Sequence, residues 1–189
     1  MNDNFIKTYL DNLHTAIQEL PISDIEKVVE VIYQAYLRGS QIFIMGNGGS
    51  AATASHFACD LGKGTAAPGK GRFRVMCLND NIPMLTAYAN DISYDDVFAE
   101  QLVNLVQPQD IVILITASGN SPNILKAAQC AKDHGAITIG FIGFGGGKLL
   151  GLVDHHITVS SRDYGNVEDI HLILEHSISA HFRERLKQG

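Results

Sequence analysis

The sequence is poor in cysteine, has no long apolar run and carries fewer basic than acidic residues, and each shortage argues against a class of protein. The three cysteines, Cys59, Cys77 and Cys130, are odd in number and lack metal-binding spacing, which argues against a disulfide-stapled secreted protein. The longest weakly polar stretch, 135–147, is broken by glycines and is shorter than the ~20 apolar residues of a membrane helix. The first four residues do not resemble a signal peptide. We therefore expect a cytoplasmic protein without a membrane partner.

The charge balance argues against a nucleic-acid partner. The chain has 14 Lys and Arg against 20 Asp and Glu, a formal net charge of −6, so it has no general cationic surface. Any anionic ligand must be bound locally. A length of 189 residues with 46% hydrophobic and 18% charged residues is typical of one compact domain. We expect a single domain over 1–189, in which 1–39 serve packing or oligomerisation and 40–189 form an α/β sandwich.

Hydrophobic periodicity predicts the fold class. Two amphipathic helices, 5–20 and 23–39, come first and would expose apolar stripes unless they pack on the domain or on another copy of the chain. Short apolar runs then alternate with helical or loop segments, which indicates a parallel sheet covered on both faces. The fold class predicted is therefore α/β, a three-layer α/β/α sandwich with a five-stranded parallel sheet behind two N-terminal helices. The strands are predicted at 42–45, 73–78, 111–115, 137–142 and, more weakly, 157–159, and the helices at 50–61, 83–89, 95–106, 121–134, 148–153 and 167–186.

Two strand-to-helix turns are candidates for an anion site. The first strand runs into Gly46-Asn47-Gly48-Gly49-Ser50, where backbone N–H groups and a helix N-terminus can approach phosphate. The third strand runs into a turn over 116–121, in which Thr116, Ser118 and Ser121 carry hydroxyls. Either turn alone could be a tight turn without a ligand. Because both follow parallel strands, where open α/β sheets bind ligands, we expect one shared phosphate site.

The glycine spacing does not support a nucleotide cofactor. It is neither the GxGxxG of dinucleotide sites nor the GxxxxGK[ST] of nucleoside-triphosphate sites, and no acidic residue follows a second strand as a ribose would require. The segment 62–71 is rich in glycine, proline and lysine and is predicted to be an exposed, mobile loop.

Histidines and carboxylates on two helices form a candidate metal site. His56 and Asp60 lie four residues apart and so share one helix face, and Glu168 and His176 lie two turns apart on the final helix. Two imidazoles and two carboxylates suit zinc, although each residue alone could simply be solvated. About 12 Å of helix rise between Glu168 and His176 strains a single-ion site unless Glu168 lies at an irregular helix start.

These motifs together resemble the phosphoheptose isomerases of the sugar isomerase (SIS) superfamily. The resemblance rests on the glycine turn followed by His56, the 116–121 turn, Asn90-Asp91 and the stretch from Glu168 to His176, and it spans nearly the whole chain. It implies the SIS, flavodoxin-like fold, a homotetramer, one zinc ion per subunit and a sugar-phosphate substrate. The implied reaction interconverts sedoheptulose 7-phosphate and D-glycero-D-manno-heptose 7-phosphate through an enediol.

The resemblance also implies roles for individual residues. Those implied for substrate and phosphate are Asn47, Gly48, Gly49, Ser50, Asp91, Thr116, Ala117, Ser118, Ser121 and Glu168; those for metal are His56, Asp60, Glu168 and His176; those for catalysis are Asp60, Glu168 and His176. The family usually has Glu at position 60, Gln at 168 and a hydroxyl residue at 117. We therefore hypothesise that the base has moved from Asp60 to Glu168.

Two alternatives stay open from the sequence. Related SIS proteins are non-catalytic modules that bind sugar phosphates or associate with the replication initiator, and such a module does not need a histidine–carboxylate cluster. An isomerase acting on another sugar phosphate could work with an acid and a base and without metal. The cluster favours an enzyme, and the exact sugar is not determined.

Overall fold

Seven α-helices and five strands make up residues 4–188, the part of the chain that the computed structural model describes. The helices are α1 (Phe5–Gln18), α2 (Ile22–Arg38), α3 (Gly49–Cys59), α4 (Ile82–Asp91), α5 (Ala99–Leu105), α6 (Pro122–Asp133) and α7 (Tyr164–Gln188). The strands are β1 (Gln41–Gly46), β2 (Arg74–Cys77), β3 (Ile111–Thr116), β4 (Ile137–Ile142) and β5 (His155–Thr158).

All the strand pairs are parallel, in the order β2-β1-β3-β4-β5. Ile44 of β1 pairs with Cys77 of β2 on one side and with Ile113 of β3 on the other. The chain therefore reverses its direction of travel across the sheet between β1 and β3. In open α/β sheets the crevice beyond the carboxyl ends of such a strand pair is where ligands bind. Both turns singled out in the sequence follow these two strands.

Alternating side chains of the buried strands build two cores. Ile113 lies in the core under α2, α3 and α7, whereas its neighbour Leu114 lies in the core under α5 and α6. A period of two follows from strand geometry, and burial on both faces explains why these strands read as continuous apolar runs. The predicted three-layer α/β/α fold is confirmed.

The structure departs from the predicted elements in three places. The predicted exposed loop 62–71 begins within a π-helical turn, Asp60–Gly64, and Thr65 is buried with its hydroxyl donating to the Leu61 carbonyl at 2.6 Å. The predicted helix 95–106 is divided into a 3₁₀ turn, Tyr94–Asp96, and α5, with the intervening Val97 and Phe98 buried in the core. The predicted helix 148–153 is a single 3₁₀ turn, Leu149–Gly151.

Helix α1 lies on the outside of the domain. Large apolar side chains on it, including Phe5, Ile6 and Leu10, are exposed, whereas Ala16 is buried. The Tyr9 hydroxyl donates to the Asp169 carboxylate of α7 at 2.6 Å, and this bond raises the pKa of Tyr9 to about 12. Within residues 4–188, none of the helices has the length and apolar character needed to cross a membrane.

Candidate active site

The turn between β1 and α3 depends on glycine at three positions. Gly48 has a φ of 57°, which L side chains rarely adopt. A Cβ at Gly46 would lie 2.6 Å from the Ser50 carbonyl oxygen, and a Cβ at Gly49 would overlap the Glu168 carboxylate. The glycines therefore let α3 begin immediately after β1 and leave room beside its N-terminus for a side chain of α7.

Asn47 of this turn is held by the neighbouring elements. Its amide nitrogen donates to Asn123 Oδ1 at 2.8 Å, and its amide oxygen accepts from Asn123 Nδ2 at 3.0 Å and from the Tyr94 hydroxyl at 2.9 Å. Asn123 is buried in the first turn of α6. These bonds fix Asn47 and leave one of its N–H groups for a ligand.

The turn between β3 and α6 is supported by a loop that the sequence analysis did not single out. Thr116 Oγ1 accepts from the Gly119 N–H at 3.2 Å. The loop after β4 has positive φ at four consecutive residues, 144–147. A Cβ at Gly119 would overlap the Gly146 carbonyl, and one at Gly147 would overlap the Ser118 carbonyl. The loop after β4 therefore packs backbone to backbone against the hydroxyl-bearing turn. The run of glycines at 145–147 was the signal in the sequence that could have indicated this close packing.

A cavity of about 130 Å³ joins the two turns. It contains hydroxyl groups of both turns and two side chains of α7, and its lining residues are Asn47, Ser50, Ile115, Thr116, Ala117, Ser118, Ser121, Tyr164 and Glu168. Of the residues predicted for substrate and phosphate, the cavity brings together all except Gly48, Gly49 and Asp91. A larger cavity of about 810 Å³ beside β2 and α4 is lined by none of the predicted site residues. Asp91, predicted to contact sugar, is exposed at the end of α4 and does not line the 130 Å³ cavity.

Four side chains from α3, the π-helical turn and α7 form a second polar centre, the histidine–carboxylate cluster. Its members are His56, Asp60, Glu175 and His176, and one potential ligand atom of each lies within 4.8 Å of the others. Glu175 Oε1 lies 3.4 Å from His56 Nδ1 and 3.4 Å from His176 Nε2, and Asp60 Oδ1 lies 3.9 Å from His56 Nε2. The imidazoles are about half exposed, whereas the Glu175 side chain is fully buried.

Glu175 is a functional candidate that the sequence analysis did not select. Neither of its carboxylate oxygens has a hydrogen-bond partner among residues 4–188. Burial, assisted by the nearby Asp60 carboxylate, raises the pKa of Glu175 to about 7. The sequence held one signal for this candidate, namely that Glu175 lies on the apolar face of α7. A carboxylate on that face is buried, and a buried carboxylate needs a partner.

Helices α3 and α7 run in the same direction, and this separates Glu168 from the cluster. Gly49 contacts Glu168, and seven residues further along both helices His56 contacts Glu175. Seven residues correspond to about 10 Å of helix rise. The expected set of His56, Asp60, Glu168 and His176 is therefore not assembled: Glu168 lies in the 130 Å³ cavity, and Glu175 lies beside His176.

A divalent metal ion fits the histidine–carboxylate cluster. The orphaned oxygens of a buried carboxylate need a cation or donors, and two imidazoles with carboxylates are a donor set that zinc accepts.

Comparison with known proteins shows the family of this chain. Residues 5–143 match the family model described as the SIS domain. The chain is 36% identical over 179 residues to the probable phosphoheptose isomerase of Thermoplasma acidophilum, covering 95% of this chain and 98% of that one. It is 35% identical over 189 residues to the phosphoheptose isomerase of Synechocystis, covering 96% and 93%. The structure of the phosphoheptose isomerase of Neisseria gonorrhoeae superposes with a TM-score of 0.90 at 25% identity, covering 97% of this chain and 100% of that one. Because sequence and fold agree over almost the full length, the chain belongs to the phosphoheptose isomerase family of SIS-domain proteins.

Proposed function

We propose that this protein is an aldose–ketose isomerase that converts sedoheptulose 7-phosphate to D-glycero-D-manno-heptose 7-phosphate through an enediol. The observation that carries the proposal is the spacing of two polar centres, a phosphate-sized cavity at one end of α3 and a histidine–carboxylate cluster near the other. The full-length relatives named phosphoheptose isomerases support it.

The phosphate would bind at the two turns. The helix N-termini of α3 and α6 supply partial positive charge, and Ser50, Thr116, Ser118 and Ser121 supply hydroxyl donors. The position of the Glu168 carboxylate in the same cavity indicates that the dianion lies on the hydroxyl side and that Glu168 accepts hydrogen bonds from sugar hydroxyls next to it.

The length of the sugar matches the spacing of the two centres. From Ser50 to His56 the helix rises about 9 Å. Seven bonds separate phosphorus from C2 in an open-chain 7-phosphate, and at about 1.2 Å of reach per bond this chain spans 8 to 9 Å. Phosphate binding at the turns would therefore place C1 and C2 beside His56, Asp60 and His176, and binding energy at the phosphate would be used for orientation.

Isomerisation needs one base and one acid at the reacting carbons. Asp60, partly exposed beside His56, would remove a proton from C1 of the ketose, exchange it with solvent and then protonate C2. His176, half exposed, would move a proton between the oxygens on C1 and C2 near neutral pH. This assignment differs from the hypothesis that the base has moved to Glu168, because Glu168 lies at the phosphate end.

Zinc is the metal proposed for the cluster, one ion per subunit, with His56 and His176 among its ligands. When bound there, it would polarise the carbonyl and stabilise negative charge on the enediolate oxygens. No nucleotide cofactor is required by this chemistry.

A homotetramer of cytoplasmic subunits is also proposed. The exposed apolar side chains of α1 support burial against another copy, with 1–39 serving assembly and 40–189 forming the sandwich of a single domain. The three cysteines are free, which suits a reducing compartment.

The reaction is tested by incubating the purified protein with sedoheptulose 7-phosphate in D₂O and analysing the product. We expect the aldose 7-phosphate with solvent deuterium at C2, and a loss of turnover of at least about 100-fold in Asp60→Asn. Asp133→Asn, an exposed carboxylate at the end of α6, is the matched control. A five-carbon ketose 5-phosphate should react poorly because it is about 2 Å too short. Tight binding of the heptulose phosphate without turnover would instead favour a regulatory SIS module.

A further inference from the structure

We propose that Tyr164, at the start of α7, contacts the substrate by donating a hydrogen bond from its hydroxyl to the phosphate, and that Phe144 positions it. This inference rests on the proposed function at one point, namely that the 130 Å³ cavity binds the phosphate of a sugar phosphate. The sequence analysis assigned no role to either aromatic residue. Tyr164 belongs to the wall of that cavity.

The cavity has to bind an anion without a cationic side chain. Among the described residues that line it, none is lysine, arginine or histidine, and Glu168 adds a carboxylate. A phosphate dianion must therefore be held there by helix N-termini and by neutral N–H and O–H donors. Tyr164 supplies a phenol, which is more acidic than an aliphatic hydroxyl and so is a stronger hydrogen-bond donor.

Its place along α7 assigns Tyr164 to the phosphate end of the site. Tyr164 precedes Glu168 by four residues, so both share one face of the helix with about 6 Å of rise between them. The histidine–carboxylate cluster lies in the other direction, since Glu175 follows Glu168 by seven residues. Of the two α7 side chains in the cavity, Tyr164 is therefore farther from the cluster and nearer the end where phosphate binding is proposed.

The ring of Tyr164 packs against that of Phe144. The two ring centroids lie 4.6 Å apart and the ring planes are inclined at 73°, the edge-to-face arrangement that aromatic pairs favour. Tyr164 is 61% exposed, so solvent alone would leave its side chain a choice of rotamers. Contact with Phe144 restricts that choice and keeps the ring at the cavity.

The backbone of Phe144 adopts a conformation that is uncommon for a bulky residue. Its φ is 49°, in the left-handed region, whereas the three residues that follow it with positive φ are all glycines. Residues held in this region without being glycine cluster at functional sites, where the surrounding structure maintains them. Here the unfavourable backbone conformation coincides with the contact that orients a cavity-lining tyrosine.

The loop after β4 is bonded to the start of α7 as well as packed on the hydroxyl-bearing turn. The Phe144 N–H donates to the Ser161 carbonyl at 3.1 Å, three residues before Tyr164. A Cβ at Gly143 would lie 2.6 Å from Val167 Cγ1, so the loop and the first turn of α7 are closely packed. The loop thereby connects the two walls of the cavity and fixes the Phe144 ring relative to Tyr164.

The affinities of two unreactive ligands test the phosphate contact. The ligands are heptitol 7-phosphate, made by borohydride reduction of the substrate, and inorganic phosphate measured in competition with it. We expect Tyr164→Phe, which removes only the hydroxyl, to lower the affinity for both ligands about tenfold, the scale of one hydrogen bond to a charged acceptor. Tyr88→Phe, on α4 and outside the cavity, is the matched control and should bind both ligands as the wild type does.

Three outcomes overturn the contact. They are an unchanged affinity in Tyr164→Phe, a loss confined to heptitol 7-phosphate, which would place the hydroxyl on the sugar, and a wild type that binds neither ligand. Circular dichroism of each full-length variant checks that the fold is retained.

Substitutions at Phe144 test its positioning role. Phe144→Leu removes the ring and should lower the affinity for heptitol 7-phosphate about two- to tenfold, the scale of an aromatic pair, whereas Phe144→Tyr keeps the ring and should bind as the wild type does. In the Tyr164→Phe background, Phe144→Leu should cause little further loss because the hydroxyl that it positions is already absent. Equal losses in both backgrounds would overturn the positioning role.

These affinities are measured without turnover. If the protein binds heptitol 7-phosphate and isomerises no heptose phosphate, the proposed function fails and the assignment of Tyr164 stands. If the protein isomerises the heptulose phosphate while Tyr164→Phe binds both ligands as the wild type does, the assignment fails in an active enzyme.

Discussion

Two buried titratable side chains on one face of α7 should give the metal-free protein opposing pH dependences of stability. His171 and Glu175 lie four residues apart, both are fully buried, and neither has a hydrogen-bond partner for its side chain among residues 4–188. Burial lowers the pKa of His171 from 6.5 to about 4 and is only partly opposed by the backbone of Ile142. Burial raises the pKa of Glu175 from 4.5 to about 7.

The sign for each group follows from which state binds the proton more tightly. For Glu175 the folded state does, so its contribution to stability is complete below pH 4.5 and is lost as the pH rises to 7. For His171 the unfolded state does, so its contribution is complete above pH 6.5 and is lost as the pH falls to 4. Because the pKa of each group differs by about 2.5 between the folded and unfolded states, each group changes the free energy of unfolding by roughly 3 kcal/mol.

Between pH 4.5 and 6.5 the opposite changes of the two contributions with pH should nearly cancel in the wild type. Glu175→Gln removes one of them, so the free energy of unfolding of this variant should fall by roughly 3 kcal/mol relative to wild type as the pH is lowered through that window. His171→Leu removes the other, so its free energy of unfolding should fall relative to wild type as the pH is raised through the same window. The remaining titratable groups are present in all three proteins.

Urea unfolding at fixed protein concentration, with chelator present and at half-unit pH steps, measures the effect. Fixed concentration is needed because assembly would couple stability to protein concentration. Glu26→Gln, which replaces an exposed carboxylate on α2, is the control and should run parallel to wild type. If Glu175→Gln and His171→Leu also run parallel to wild type across the window, neither group is desolvated as the structure indicates.

Three further predictions concern the phosphate cavity and assembly. Glu168→Gln should raise KM for the sugar phosphate about tenfold with kcat retained, as for a residue that contacts substrate away from the reacting carbons; loss of kcat with binding retained would instead assign Glu168 as the base. Gly147→Ala places a side chain at a φ of 55° and against the Ser118 carbonyl, so steady-state kinetics should give a higher KM with zinc affinity unchanged. Leu10→Glu on the exposed face of α1 should lower the mass measured by light scattering below that of the wild-type assembly while circular dichroism stays the same.

The two strand-to-helix turns could be predicted because their signals are local. A strand that ends in Gly46-Asn47-Gly48-Gly49-Ser50 fixes a turn and a helix start within a few residues, and parallel strands carry such turns to one edge of a sheet. The support from 144–147 is different in kind, because nothing adjacent in sequence links it to Ser118 or Gly119. Its position depends on how the loop after β4 returns over the sheet.

The π-helical turn at Asp60 could not be predicted from hydrophobic periodicity. The sequence predicts one helix to residue 61, and the structure widens it over Asp60–Gly64. A π turn inserts an extra residue into helical spacing and so re-aims the side chains within it, and such turns are frequent at functional sites. The four-residue spacing of His56 and Asp60 correctly placed both on one face, while the 3.9 Å approach of Asp60 to His56 Nε2 required the structure.

The choice between Glu168 and Glu175 depends on the direction of two helices that are far apart in sequence. Had α7 crossed α3 antiparallel, Glu168 and His56 could have met, and the residues implied by resemblance would have formed one site. Because the helices run in parallel, the same seven-residue step separates Gly49 from His56 and Glu168 from Glu175. Glu168 therefore lies beside Gly49, and Glu175 lies beside His56. That geometry gives α7 one carboxylate for each polar centre, Glu168 in the 130 Å³ cavity and Glu175 beside the imidazoles. A substitution that makes position 168 acidic therefore changes the end of the site where phosphate binding is proposed, whereas of these two carboxylates only Glu175 belongs to the cluster where carbon chemistry is proposed.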